Sequence, residues 1–236
     1  MQPVDRSRNG SPELPPSAGK VASSTALVDY GQFVLMAAGA PTPESSKRAL
    51  DILNSCETAN KLNASLERAR GGNKIHSEKL AALLGDAQQL QRSCQSITAD
   101  MYAYRAQFAQ AALLGAMPGA AVAYGTVVDF KPPAEMRIHL LNGLRAESAA
   151  GSYGAIVSLA LHGAELGVSN VEMQAVRDVI ERLDSSAQNE MLKSILDVRR
   201  PLELSQQEND QAKRLADRLE AALRARSDAR KARSAG

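Results

Sequence analysis

Two cysteines, three histidines and a scatter of carboxylates are the residues with chemistry available in this 236-residue chain. Cys56 and Cys94 can close a disulfide, hold a metal or serve as small core hydrophobes. Zinc would require paired Cys or His at short spacing, and none occurs; His76 is the only histidine near the cysteines in sequence. His139 lies between Ile138 and Leu140, and His162 near a helix end, too scattered with His76 for a ligand set or triad. A serine nucleophile lacks its Gly-x-Ser-x-Gly elbow. Gly115-Ala-Met-Pro-Gly119 and Gly151-Ser-Tyr-Gly154 follow no strand and contain no phosphate-binding lysine, so they read as turns. A diiron bundle would need Glu-x-x-His, and no histidine stands three residues after a glutamate. Asp178, Glu181 and Asp184 form one row along a helix, the pattern of an exposed face, while Asp100 and Asp129 are isolated. The inventory predicts no catalytic residue, no metal and no cofactor.

The elements that must position these residues are helices. Ala26 to Ala38 reads as a short helix burying Leu27, Tyr30, Val34 and Ala37, stopped by Gly39 and Pro41. Thr42-Pro43-Glu44 then opens a second: threonine can cap, proline fits the first helical position, and glutamate suits the positive end of the dipole. Its apolar stripe runs Ala49, Leu53, Cys56, Ala59, Leu62, Leu66 and Ala69 to about Arg70, before Gly71-Gly72-Asn73. After Ser77 the apolar residues Leu80, Leu83, Ala87, Leu90, Cys94, Ile97, Met101, Tyr104, Phe108 and Ala111 follow a 3,4 spacing. That period predicts one unbroken helix with a seam of about 50 Å, at ~1.5 Å per residue, against the preceding helix. The two form a long antiparallel hairpin.

Both cysteines lie on the hairpin's seams. Cys56 stands about 13 residues before the first helix ends and Cys94 about 17 after the second begins. The depths differ by roughly four residues, ~6 Å, which helix tilt can absorb, so a Cys56–Cys94 disulfide is predicted. Two reduced thiols packed as core hydrophobes are the alternative. A bridge would imply an exported protein, because cytosolic thiols stay reduced.

Shorter helices follow. Pro118 opens one ending near Val128, and Lys131-Pro132-Pro133 separates it from another ending near Ala150. Gly151 precedes a helix that stops near Gly167. Capping boxes at Ser169/Glu172, Ser185/Gln188 and Ser205/Glu208 place helix starts near 170, 186 and 206, with Pro201 ending the middle one. The last helix should bury Leu215, Leu219 and Ala222. No stretch alternates as a strand would, so the fold class is all-α.

Composition agrees. Apolar residues make up 44% of the chain but aromatics only 3%, with no Trp, so the core must be built from Ala, Leu, Ile, Val and Met. Such a chain offers few rings for gripping sugars, bases or planar cofactors. From Ala212 onward there are eight Lys or Arg against three Asp or Glu, about +5, which leaves about −3 elsewhere. A solvated helix fraying into a tail is the plain reading of that end; contact with nucleic acid or an acidic membrane surface is the other. No run approaches the ~20 apolar residues of a membrane span. The chain divides into a disordered segment 1–25, a short helix and hairpin 26–113, helix pairs 114–200, and a basic helix and tail 201–236.

One pattern is written twice, about 36 residues apart: Ala111-Ala112 before Gly115, and Ala149-Ala150 before Gly151. Arg145-Ala-Glu-Ser-Ala149-Ala150-Gly151-Ser-Tyr-Gly-Ala155 resembles the junction between Sel1-like repeats, relatives of the tetratricopeptide repeat. Leu159-Ala-Leu-His-Gly163-Ala-Glu-Leu-Gly167 resembles that family's first helix and its glycine-marked turn. The resemblance covers about 108–196; a third junction is expected near Ser185-Ser186-Ala187, without its glycine. Asn142-Gly143-Leu144 replaces the aromatic pair usual before the alanines. The resemblance implies stacked helix pairs and a non-enzymatic adaptor or scaffold role, binding another protein or peptide, often in exported bacterial proteins. A periplasmic or secreted address, with any signal replaced by Met1, is therefore expected, a cytoplasmic one being the alternative. Two other functions remain in play. One is a helical enzyme using dispersed carboxylates, which predicts a cleft holding a carboxylate of raised pKa. The other is nucleic-acid or membrane association through the basic helix.

Overall fold

The computed structural model describes residues 29–71, 78–183, 192, 194, 196 and 203–234. Among them are nine α-helices and no strand: α1 (Tyr30–Gly39), α2 (Pro43–Gly71), α3 (Glu78–Ser93), α4 (Arg105–Leu114), α5 (Ala120–Val127), α6 (Ala134–Ala149), α7 (Tyr153–Leu166), α8 (Asn170–Arg182) and α9 (Gln206–Ser234). The protein is all-α. Buried residues form one continuous core from Val34 to Leu219, with Phe108, Leu50, Leu53, Leu140, Leu144 and Ile156 among its largest fully enclosed side chains.

Local chemistry explains the helix starts. Asp29 caps α1 by accepting the Gln32 amide at 3.1 Å, so the helix begins at Tyr30 rather than at the expected Ala26. Thr42 and Ser45 cap α2 reciprocally, each hydroxyl accepting the other residue's amide at 3.1 and 3.0 Å, and Pro43 takes the first helical position. Ser169 and Glu172 form the expected capping box on α8, and Ser205 and Glu208 do the same for α9. Ser185/Gln188, Pro201 and the third repeat junction lie outside the described residues, as do residues 1–25 and Leu27.

The expected hairpin partner of α2 is not one helix. The chain leaves α-geometry at Cys94, passes through a turn, and re-enters by a 3-10 turn at Ala99–Tyr104 before α4. Both pieces still run antiparallel to α2. Asn63 meets Gln91 at 2.6 Å, Cys56 bonds Cys94, Arg105 pairs with Glu57, and Gly115 packs on Pro43. Ser93, Ser96 and Thr98 explain the break, because short hydroxyl side chains compete with the helical ladder. Ser96 uses its hydroxyl to accept the Gly31 amide at 2.9 Å, and a Cβ on Gly31 would lie 2.3 Å from the Ser96 carbonyl oxygen. The interruption is thus where α1 docks. Cys94, Met101 and Phe108 remain buried at seven-residue spacing, so the apolar period crosses a stretch that is not α-helical. Beyond Ala59 the stripe on α2 is only partly enclosed: Leu62 is 41% exposed and Leu66 half-buried, and the side chain of Ala69 lies outside the described residues.

Cys56 and Cys94 are joined by a disulfide, Cα atoms 5.6 Å apart. From α4 onward each helix packs on its successor, and α4–α6 and α5–α7 also touch. The bidentate pair of Arg145 with Glu172, both contacts at 2.7 Å, ties α6 to the start of α8. Helix α9 lies along α8 and touches α6, burying Ala212, Ala216 and Leu219; Leu215 and Ala222 are half-buried. It runs on as helix to Ser234, where a frayed tail was expected.

The two Ala-Ala…Gly junctions are built differently. Ala112 is buried and Gly115 has an ordinary negative φ, whereas Ala149 and Ala150 are exposed and Gly151 is left-handed at φ 73°. Gly151 also meets α9: a Cβ there would stand 2.3 Å from the Ala222 carbonyl oxygen. Only glycine supplies both the turn and the space.

Candidate functional site: a groove between α4, α5 and α6

A groove of about 410 Å³ opens between the end of α4, the turn into α5, and one face of α6. Leu113, Leu114 and Met117 give it an apolar wall, with Ala146 on the α6 side. The α6 helix comes close because it has no side chain at Gly143, where a Cβ would lie 2.8 Å from Ala121 Cβ and 2.9 Å from Leu113 Cδ1. His139 and Asn142 stand on the exposed rim, and Arg226 reaches in from α9. Leu114 is 53% exposed, and Ile138, one turn before Asn142, is 55% exposed.

One half-buried carboxylate organises the groove. Helix α5 starts at Ala120, and Gly119 in the cap position before it has no side chain with which to cap it. Glu147 of α6 fills that role, its Oε1 accepting the Ala121 amide at 2.7 Å. Its Oε2 is enclosed without a hydrogen-bond partner. Burial pushes the carboxyl above the usual glutamate range, opposed by the Ala121 and Val122 amides and by the charges of Lys47 and Arg226.

The remaining candidates do not converge. His139 lines the groove eight residues before Glu147 on α6, about 12 Å along the axis, too far for direct proton transfer. His162 stacks on Phe130, ring centroids 4.0 Å apart, and His76 lies outside the described residues. Asp129 pairs with Lys131 on the surface, Asp100 is exposed, and Asp178 accepts Gln174 at 2.6 Å. Glu181 is exposed and Asp184 lies outside the described residues. No group of His, Cys, Asp or Glu among the described residues is arranged to hold a metal ion.

Reading the sequence overlooked Glu147 and Arg226. Glu147 left a signal, since Leu140, Leu144 and Glu147 share one helical face and a lone carboxylate interrupts an apolar stripe. Arg226 left none: it donates to the Ala150 carbonyl at 3.5 Å from 76 residues away.

Comparison with known proteins adds no family, for no family model matches the chain and no match was found among curated proteins or solved structures. The fold and the groove define the class: an all-α protein with a disulfide-linked helical hairpin. No helix among the described residues is long and apolar enough to cross a membrane.

Proposed function

We propose that this protein is a non-enzymatic binding module that takes a segment of another protein into the groove between α4, α5 and α6. The observation that supports this most is the groove's construction: an apolar wall of Leu113, Leu114 and Met117, with polar groups confined to the rim and one end. Sites for peptide side chains have this makeup, with burial giving affinity and a few polar groups setting orientation. The Sel1-like resemblance over 108–196 points to the same adaptor role. The rival enzyme reading asks for a carboxylate of raised pKa in a cleft, and Glu147 is one. It is committed to capping α5, however, and the charged groups that act on it are the cations Lys47 and Arg226, which favour its ionised form, so binding is the better-supported function.

Panning the full chain against a displayed library of random dodecapeptides tests this reading. Enriched peptides should share an apolar anchor residue and bind at least tenfold more weakly to a Leu114→Ser/Met117→Ser variant, a loss of about 1.4 kcal/mol. Equal binding by that variant would end the groove reading.

The disulfide supports an address in an oxidising compartment, periplasmic or extracellular. Thiol titration of native protein, denatured without reductant, should find no free thiol.

A further inference from the structure

We infer that the segment received by the groove is acidic, and that its carboxylates are met by a row of arginines, Arg226, Arg230 and Arg233, on α9. This inference rests on the groove reading above and names the partner's chemistry.

Leu215, Leu219 and Leu223 form the seam by which α9 packs on the body. Continued at helical spacing, the same seam becomes Arg226, Arg230 and Arg233 where α9 runs beyond its core contacts, and every residue from Arg224 to Ser234 is exposed. A helix face that should pack is there lined with guanidinium groups. The first of them is already at the site: Arg226 lines the groove and reaches the Ala150 carbonyl at its α6 edge. Arg230 and Arg233 follow about 6 and 10.5 Å further along the axis. Arg226 thus brings positive charge to the α9 edge of the groove and the two arginines beyond it carry the charge on along α9, while a separate cation, Lys47, stands beside Gly119 and acts on Glu147.

The other charges on this stretch lie off the row and are already paired. Arg224 bonds Glu220, and Lys231 stands 3.9 Å from Asp228. Neither Arg230 nor Arg233 is in an ion pair among the described residues. Like charges spaced three and four residues apart repel, and a carboxylate partner relieves that repulsion through bidentate contacts. The ligand therefore presents an apolar side chain to Leu113, Leu114 and Met117, with Asp or Glu residues on the side facing α9.

Two other polyanions fit less well. Between Arg224 and Ser234 the only apolar residues are alanines, so this stretch has no greasy face to enter a bilayer and no ring to stack on a base.

The test uses the full chain and the dodecapeptides enriched by panning, fluorescein-labelled and titrated by fluorescence polarisation. The enriched sequences should carry clustered Asp or Glu on one side of the apolar anchor. An Arg230→Glu/Arg233→Glu variant should bind them at least tenfold more weakly and with a shallower salt dependence. Both positions are exposed, so the variant folds as the parent does. Neutral or basic enriched peptides, or acidic ones indifferent to the two substitutions, would overturn the inference; if Leu114→Ser/Met117→Ser still weakens them, the groove reading survives alone. Indifference to that groove variant removes both, as does a failure to enrich any peptide. A random-sequence DNA duplex, or vesicles of phosphatidylcholine and phosphatidylserine, binding through the same arginines more tightly than any enriched peptide would also overturn it.

Discussion

Glu147 does two jobs that pull against each other. It satisfies the opening of α5, which Gly119 leaves uncapped, and it does so as a carboxylate that burial would prefer neutral. The two demands predict different outcomes for two substitutions. Glu147→Ala leaves the Ala121 amide without its acceptor and should cost about 1–2 kcal/mol in chemical denaturation. Glu147→Gln keeps an acceptor and removes the charge. Because the folded pKa lies above the ordinary value of 4.5, the group's favourable contribution is complete below that value and is lost as pH rises through the folded pKa. Glu147→Gln should therefore gain stability relative to the parent as pH rises above 4.5. A parallel pH dependence of the two proteins would show that the carboxyl is not perturbed.

Gly151 belongs to the scale of elements, because it sets how α9 crosses the turn between α6 and α7. Alanine there meets a left-handed φ, a penalty of roughly 1–2 kcal/mol, and a Cβ placed against the Ala222 carbonyl. Gly151→Ala should thus destabilise by about 2 kcal/mol or more, and α9 should lose amide protection before α2 or α4 does. Helix boundaries were largely legible in the sequence, since caps and breakers act locally: Thr42-Pro43, Lys131-Pro132-Pro133, Ser169/Glu172 and Ser205/Glu208 each announce a start within a few residues. The break after Ser93 was not. Its apolar residues keep a helical period, and the cause, the docking of α1 through Gly31 on Ser96, is 65 residues away. The groove was hidden for the same reason, its walls coming from separate helices and its charged end from α9.

At the scale of the molecule, the disulfide links α2 to the end of α3 and closes a span of 38 residues. On the chain-entropy model that contributes about 3–4 kcal/mol. Replacing both cysteines by alanine should lower stability by about 2–4 kcal/mol, and reductant should have the same effect on the parent and none on the double variant. An unchanged midpoint would mean that the bridge constrains the unfolded chain little.

Position matters as much as energy. Outward from the bridge, Ala59 and Ala87 are the only fully buried residues among the described side chains of α2 and α3, while the body behind it holds Leu50, Leu53 and Phe108. The outer arm therefore resembles a zip that can part between its far end, where residues 72–77 join the two helices, and a clasp, and no further. Native-state hydrogen exchange should find Glu57–Gly71 and Glu78–Ser93 opening as one unit at a lower free energy than α4, with no rise in global unfolding. Once the cysteines are gone, nothing covalent stops the parting at Cys56, and the opening should reach the helices that line the groove.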